Sequence, residues 1–261
     1  MRKAASIAVI TTLLFVVNLY GQIGKDTDLW KWGQKRDIHN SVVRIETVSL
    51  ELQEDGSSRF MCGSGTGTVI KELDNNEYLV LTANHVIPPS EFRGRVKSLN
   101  KIKTAGITVV AKDYAHDICI LKIKLTEDSP KLPVMKIADV SPQYKDSLEF
   151  AGYGGVEFNE QIGLDKLRVY MGTAEIPTGD DYVFSGDAYL IQGDSGGPVI
   201  VNDQLVGVIS GGSCWWGKDI CKTQNGEPVK ITWPAMAFGI GPIKELLKQA
   251  EEVLEKHKNK Q

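Results

Sequence analysis

Apolar positions in this chain either alternate with polar ones or gather in short runs, and before the last turn of sequence they rarely recur at helical spacing. Over Ser41–Leu52, Val43, Ile45 and Thr47 fall on one face and Val42, Arg44 and Glu46 on the other, which predicts a first strand. Glu54–Ser58 reads as a turn and Gly63–Ile70 as a glycine-rich strand. Asp74–Glu77 reads as a hairpin turn leading into the apolar run Tyr78–Ala83. Further short strands are predicted at Ile107–Ala111, Ile118–Ile123, Ser147–Gly152, Leu167–Ile176, Tyr182–Phe184, Pro198–Val201, Gln204–Ser210 and Ile231–Phe238. Many short strands separated by turns predict an all-β barrel or sandwich. The tail is the exception. Ile243, Leu246, Leu247, Ala250, Val253 and Leu254 recur at i, i+3, i+4 and i+7, so a C-terminal amphipathic α-helix is expected over 242–261, with Pro242 at its first position.

The beginning of the chain is a targeting pattern. Arg2 and Lys3 precede the uncharged, mostly apolar stretch Ala4–Val17, and a cut after Gly21 would leave Gln22 first. The run is short for a membrane span of about 20 residues. It therefore reads as a signal peptide, residues 1–21, of a secreted or periplasmic protein without stable membrane insertion after its removal. Leu19 and Gly21 make an imperfect cleavage pattern, so an uncleaved N-terminal anchor stays open. A polar lead-in, 22–40, follows. The 261 residues are 42% hydrophobic and 24% charged, which suffices for a large core. The net charge of −3 makes no case for nucleic acid as a partner. Of the four cysteines, Cys214 and Cys221 share a loop and are the first choice for a disulfide, Cys119 reads as a buried thiol, and Cys62 is unassigned. Without Cys-x-x-Cys pairs or histidine clusters, neither a metal nor any other cofactor is expected.

The candidate chemistry lies in Gly193-Asp194-Ser195-Gly196-Gly197-Pro198. Glycines around a serine allow a tight turn that exposes the hydroxyl and lets the N–H groups of Gly193 and Ser195 converge on one point, where an oxyanion could bind. His85 follows one predicted strand and Asp117 opens another. The order His85, Asp117, Ser195, each at a strand boundary, supplies a base, its carboxylate partner and a nucleophile. His116 is a weaker alternative base, and His39 and His257 lack such a setting. The spacing Gly63, Gly65, Gly67 is not a phosphate loop, because no Lys-Ser/Thr and no helix follows it.

On these residues, with His85 in a Thr-Ala-x-His segment, the chain from about Ser41 to Pro242 resembles the trypsin-like (chymotrypsin-fold) serine proteases. It looks most like the bacterial members and the protease domain of the HtrA type, without a PDZ segment. The resemblance implies two six-stranded antiparallel β-barrels, about 41–123 and 133–241, with the active site between them and the C-terminal helix packed on the second. It implies no cofactor and a polypeptide substrate cleaved through an acyl-enzyme. It also implies that Ser210, Gly211 and Gly212 pair with substrate backbone. Tyr189, six before the serine, and Ala235 would then line a shallow pocket for small or medium apolar residues. An envelope quality-control protease and a silent protease-like binding module are the alternative readings. Nothing like the family's Ile-Val-Gly-Gly zymogen start precedes the first strand, which leaves Asp194 without an assigned partner.

Overall fold

The computed structural model describes residues 33–53, 55–88, 92–98, 101–154, 167–175, 180–185, 188, 190–191, 193–212, 220–222, 228–232 and 235–259. The first six strands are β1 (Val42–Leu52), β2 (Ser58–Glu72), β3 (Glu77–Ala83), β4 (Phe92–Lys97), β5 (Thr104–Asp113) and β6 (Ile118–Leu125). They form one antiparallel sheet in the order β4-β1-β2-β3-β6-β5. It curls until its edges meet, where the Thr104 hydroxyl accepts from the Val96 N–H (2.9 Å) and donates to the Val96 carbonyl (2.8 Å). There follow β7 (Ser147–Gly152), β8 (Arg168–Thr173), β9 (Tyr182–Ser185), β10 (Leu190–Ile191), β11 (Pro198–Val201), β12 (Gln204–Gly212), β13 (Ile220–Lys222), β14 (Pro228–Thr232) and β15 (Ala235–Gly239). A second six-stranded sheet has the order β8-β7-β11-β12-β15-β9, and a small one the order β10-β14-β13. A single described α-helix, α1 (Ile240–Lys258), ends the chain.

Three buried clusters explain the strand patterns. Val43, Ile45, Val80 and Leu121 fill the first barrel, and Leu148, Phe150, Tyr170, Val199 and Val206 fill the second. The third cluster is the seam between them. Val42, Leu79, Leu81 and Ile120 come from the first sheet, Tyr153, Val169, Ile200, Val208 and Phe238 from the second, and Ile243, Leu246 and Ala250 from α1. Strand β3 is therefore covered on both faces, Tyr78 and Val80 inward, Leu79 and Leu81 toward the seam. That is why it reads as a continuous apolar run and not as an alternation.

Several expectations are corrected. Helix α1 starts at Ile240, so Pro242 is its third residue and not its first; the N–H groups of the whole first turn lack intrahelical acceptors, so proline is tolerated there as well. The helix does not rest on the second barrel alone. Its apolar stripe lies in the seam, and Glu251 and Lys258 pair with Lys71 and Asp74 of the first barrel. Residues 231–238 are not one strand but the end of β14 and the start of β15, in different sheets. Pro234, between them, cannot donate to a ladder. Strand β4 was not expected, because Phe92-Arg93-Gly94-Arg95-Val96-Lys97 reads as polar; its charges suit an edge strand. No described helix is long and apolar enough to cross a membrane.

The lead-in is docked, not loose, from Gly33 onward. The Gly33 N–H donates to the Val169 carbonyl (3.0 Å). Arg36 pairs with Glu149 (2.7 Å) and with Asp203. His39 lies in a 3-10 turn, Asp37–Ser41, and its Nε2 meets Glu149 Oε1 at 2.7 Å, while the Arg36 N–H donates to its Nδ1 at 2.8 Å. Cys119 is a buried free thiol, as read from sequence, and burial pushes it up to about 12. Cys62 is free and exposed. The expected Cys214–Cys221 pair falls on Cys214, outside the described residues, as do the targeting segment and Tyr189.

Candidate active site

Sheet register places the first two site residues. Strands β3 and β6 pair antiparallel, Thr82 with Cys119 and Ala83 with Ile118. The next pair outward is Asn84 with Asp117, and the Asn84 N–H donates to the Asp117 carbonyl (2.8 Å). His85 then falls in a short 3-10 turn, Asn84–Val86, beside the carboxylate. Its backbone N–H donates to Asp117 Oδ1 (2.9 Å) and its Nδ1 lies 2.6 Å from Oδ2. A carboxylate only accepts, so in the neutral ring Nδ1 carries the hydrogen and Nε2 presents a lone pair. Asp117 adopts φ +48°, in the left-handed region that aspartate tolerates better than most residues. The Ser210 hydroxyl also donates to Asp117 Oδ2. Burial pushes the Asp117 carboxyl up, but the hydrogen bonds from His85 and Ser210 and the adjacent imidazole outweigh it, and the net displacement is downward.

Ser195 sits in the turn between β10 and β11, half-buried. Gly193 and Gly196 flank it with φ of +97° and +85°; a Cβ at 196 would fall 2.1 Å from the Thr66 carbonyl. Both positions require glycine. The Ser195 hydroxyl donates to the Ser210 carbonyl at 3.4 Å. In the same turn, the Gly196 N–H donates to Ile209 O (2.6 Å) and that of Gly197 to Asp194 O (2.9 Å). Among the described residues no acceptor faces the N–H of Gly193 or Ser195. The arrangement thus offers a free imidazole nitrogen, an aspartate behind it, a serine in a rigid turn and two unspent donors. A model of the trypsin-like peptidase domain matches residues 65–208, more than half of the chain, which takes in all of these groups.

The chain belongs to the trypsin-like peptidase family.

It is a serine endopeptidase, a hydrolase. It is similar to a trypsin of Sarcophaga bullata, 25% identical, with 67% of this chain and 77% of that one covered. Its fold is similar to that of the Rv3671c protease of M. tuberculosis. The active form matches with a TM-score of 0.55 at 20% identity, covering 82% of each chain. An inactive form matches with a TM-score of 0.53 at 21% identity, covering 82% of this chain and 90% of that one.

In this trypsin-like peptidase the partner of Asp194 is Arg168. The carboxylate is fully buried, and the Arg168 guanidinium donates to Oδ1 at 2.9 Å and Oδ2 at 3.2 Å, with the Gly154 N–H on Oδ1 at 2.8 Å. Burial and the Asp194 charge together push the phenol of neighbouring Tyr170 well up, so it stays neutral. Sequence reading missed Arg168, since nothing local links it to a residue 26 positions later. The Ser210 hydroxyl escapes sequence reading in the same way, since the resemblance implies only substrate-pairing backbone there. It stands at a bulge in the β12–β15 ladder, between Ile209 and Gly211, which turns its side chain to Asp117. His116 is engaged elsewhere: its Nδ1 lies 2.7 Å from Asp113 Oδ2 and its ring stands edge-on to Phe238, 5.6 Å between centroids. Of the expected pocket residues, Gly211 and Gly212 pair with Met236 and Ala235, and Ala235 is buried. Among the described residues no cluster of His, Cys, Asp and Glu is grouped to hold a metal ion.

Proposed function

We propose that this trypsin-like peptidase is an exported enzyme that cleaves polypeptides through Ser195, His85 and Asp117. The observation that supports it is the paired end of β3 and β6, which sets the His85 ring with Nε2 free and Asp117 behind Nδ1. For attack, the Ser195 hydroxyl leaves the Ser210 carbonyl and gives its proton to His85 Nε2 as its oxygen bonds the peptide carbonyl carbon. The N–H groups of Gly193 and Ser195 receive the resulting oxyanion. The imidazolium, steadied by Asp117, then protonates the leaving amine. Water repeats the sequence on the acyl-enzyme, with His85 again as base and then as acid.

Arg168 supports activity without a newly cut N-terminus, because it already neutralises Asp194 beside the nucleophile. The preferred residue before the scissile bond is small or medium and apolar. Among the described residues no atom lies within 4 Å of where a Gly211 Cβ would be, and Ala235 adds little bulk. Export rests on the N-terminal pattern alone; N-terminal sequencing of the protein recovered from its host checks it.

The deciding experiment is labelling of the purified protein with a fluorescent fluorophosphonate, with Ser195→Ala, His85→Ala and heat-denatured protein alongside. Labelling confined to the folded native sequence supports the reading. A well-folded protein that stays unlabelled sinks it. A peptide library cleaved by the labelled enzyme reads the apolar preference directly, and cleavage after charged residues would overturn that part alone.

A further inference from the structure

Gly193 poses a physical problem. It lacks a Cβ, holds φ +97°, and a glycine in that region is free to take many other conformations. Its N–H must nevertheless point at the substrate for the proposed chemistry. The Arg168–Asp194 pair anchors the turn from the second barrel, on the side chain of the following residue. A second anchor comes from the first barrel and is one residue, Thr66 of β2.

Thr66 is fully buried, and every polar atom it has is engaged at this point. Its hydroxyl donates to the Gly193 carbonyl at 2.8 Å and accepts from the Tyr153 N–H at 2.9 Å. Its backbone N–H donates to the Ser195 carbonyl at 2.8 Å. Its own carbonyl accepts from the Thr82 hydroxyl at 2.7 Å, which fixes it to β3, the strand that leads to His85. So the two residues whose N–H groups are free for an oxyanion are both held by their carbonyls, and by the same residue of the opposite barrel. A hydroxyl has one proton and two lone pairs, so it can do both jobs at once. Valine at this position would leave the Gly193 carbonyl and the Tyr153 N–H without that partner.

We propose that Thr66 is a positioning residue for the oxyanion hole: its hydroxyl locks the Gly193 carbonyl and so keeps the Gly193 and Ser195 N–H groups aimed at the developing negative charge. This rests on the reading of Ser195 as the nucleophile. It differs from a purely structural tie between barrels in what it affects. A structural tie governs stability. A positioning group governs the tetrahedral state, which forms after substrate has bound.

The test compares Thr66→Val, which is nearly isosteric but lacks the hydroxyl, with Thr66→Ser, which keeps it, in the full chain. Loss of an oxyanion donor itself lowers rates by about a hundred- to a thousandfold. Loss of the group that aims a donor is smaller, and we expect kcat to fall about tenfold in Thr66→Val with KM within about twofold. The fluorophosphonate labelling rate should fall by the same factor, and Thr66→Ser should recover most of it. A third measurement needs no turnover: amide hydrogen exchange over residues 193–197 should be faster in Thr66→Val than in the native sequence and in Thr66→Ser. Unchanged kcat and exchange in Thr66→Val would overturn the proposal, as would an equal loss in both variants or a rise in KM alone. If the native sequence fails to label, the protease reading falls, and the exchange comparison still decides whether the hydroxyl holds Gly193.

Discussion

Two histidine–carboxylate pairs in this molecule have almost the same length and opposite character. His85 and Asp117, at the paired end of β3 and β6, meet at 2.6 Å, and His39 and Glu149, joining the lead-in to β7, at 2.7 Å. In the first, the carboxylate accepts a hydrogen bond from Nδ1–H, and Nε2 stays open; the His85 side chain is 49% exposed. In the second, Nδ1 accepts from the Arg36 N–H, so Nε2 carries the hydrogen and donates to Glu149, and only 1% of the side chain is exposed. The tautomers are reversed, and both nitrogens of His39 are spent. Proximity to a carboxylate therefore does not make a histidine a base. What faces its other nitrogen does. His116, on Asp113, is a third such pair, and its ring stands edge-on to Phe238.

The sharpest way to break the contrast is to remove each ring. His85→Ala should lower kcat/KM about ten-thousandfold or more with little change in the urea midpoint, since the ring is half exposed. Equal loss of activity from His39→Ala, measured at a temperature where both variants are folded, would erase the distinction. Next in size is Arg168→Met, which leaves the buried Asp194 carboxylate without its guanidinium. It should cost about 3–5 kcal/mol in chemical unfolding and lower the fraction of enzyme that an active-site titrant detects. Native stability in that variant would mean that another group takes over Asp194.

Glu149→Gln should act on folding and not on turnover. Burial raises the Glu149 carboxyl, but the hydrogen bonds from His39 and Arg36 outweigh it and hold it below its ordinary value of 4.5. Its contribution is thus complete above that value and is lost as the pH falls through the lower folded value. We expect the variant to lose about 1–3 kcal/mol at neutral pH and to show a flatter acid limb in its stability profile, with kcat within about twofold. An unchanged acid limb would exclude the pair as a source of acid sensitivity. The smallest effect is expected from His116→Gln, with kcat/KM within about twofold; a large loss there would return His116 to candidacy as the base.

Sequence showed what is punctuated locally. His85 and Asp117 are legible as candidates because apolar strands stop abruptly beside them, Ser195 because glycines surround it, and α1 because nothing else in the chain has its spacing. The groups that hold these residues in place were not legible. Arg168 reaches Asp194 across the β7–β8 ladder, where Gly152 opposes Arg168. Thr66 reaches Gly193 across the seam, over 127 residues of sequence. Neither has a pattern that distinguishes it from any other polar residue at a strand position. Strand β4 escaped for a related reason: a charged edge strand is recognised by the partner it pairs with, and only Val96 on it is buried.

The seam helix also sets an order of events. α1 is the last described element of the chain, it is continuous with β15 of the second barrel, and it covers the outward faces of β5 and β6 of the first, with Val110 and Ala111 packed on its cluster. Chains are made from the N-terminus onward. Both barrels can therefore be complete on the ribosome while the face between them still lacks Ile243, Leu246 and Ala250. The seam is therefore filled in only after both barrels have been made, by residues that neither barrel contains.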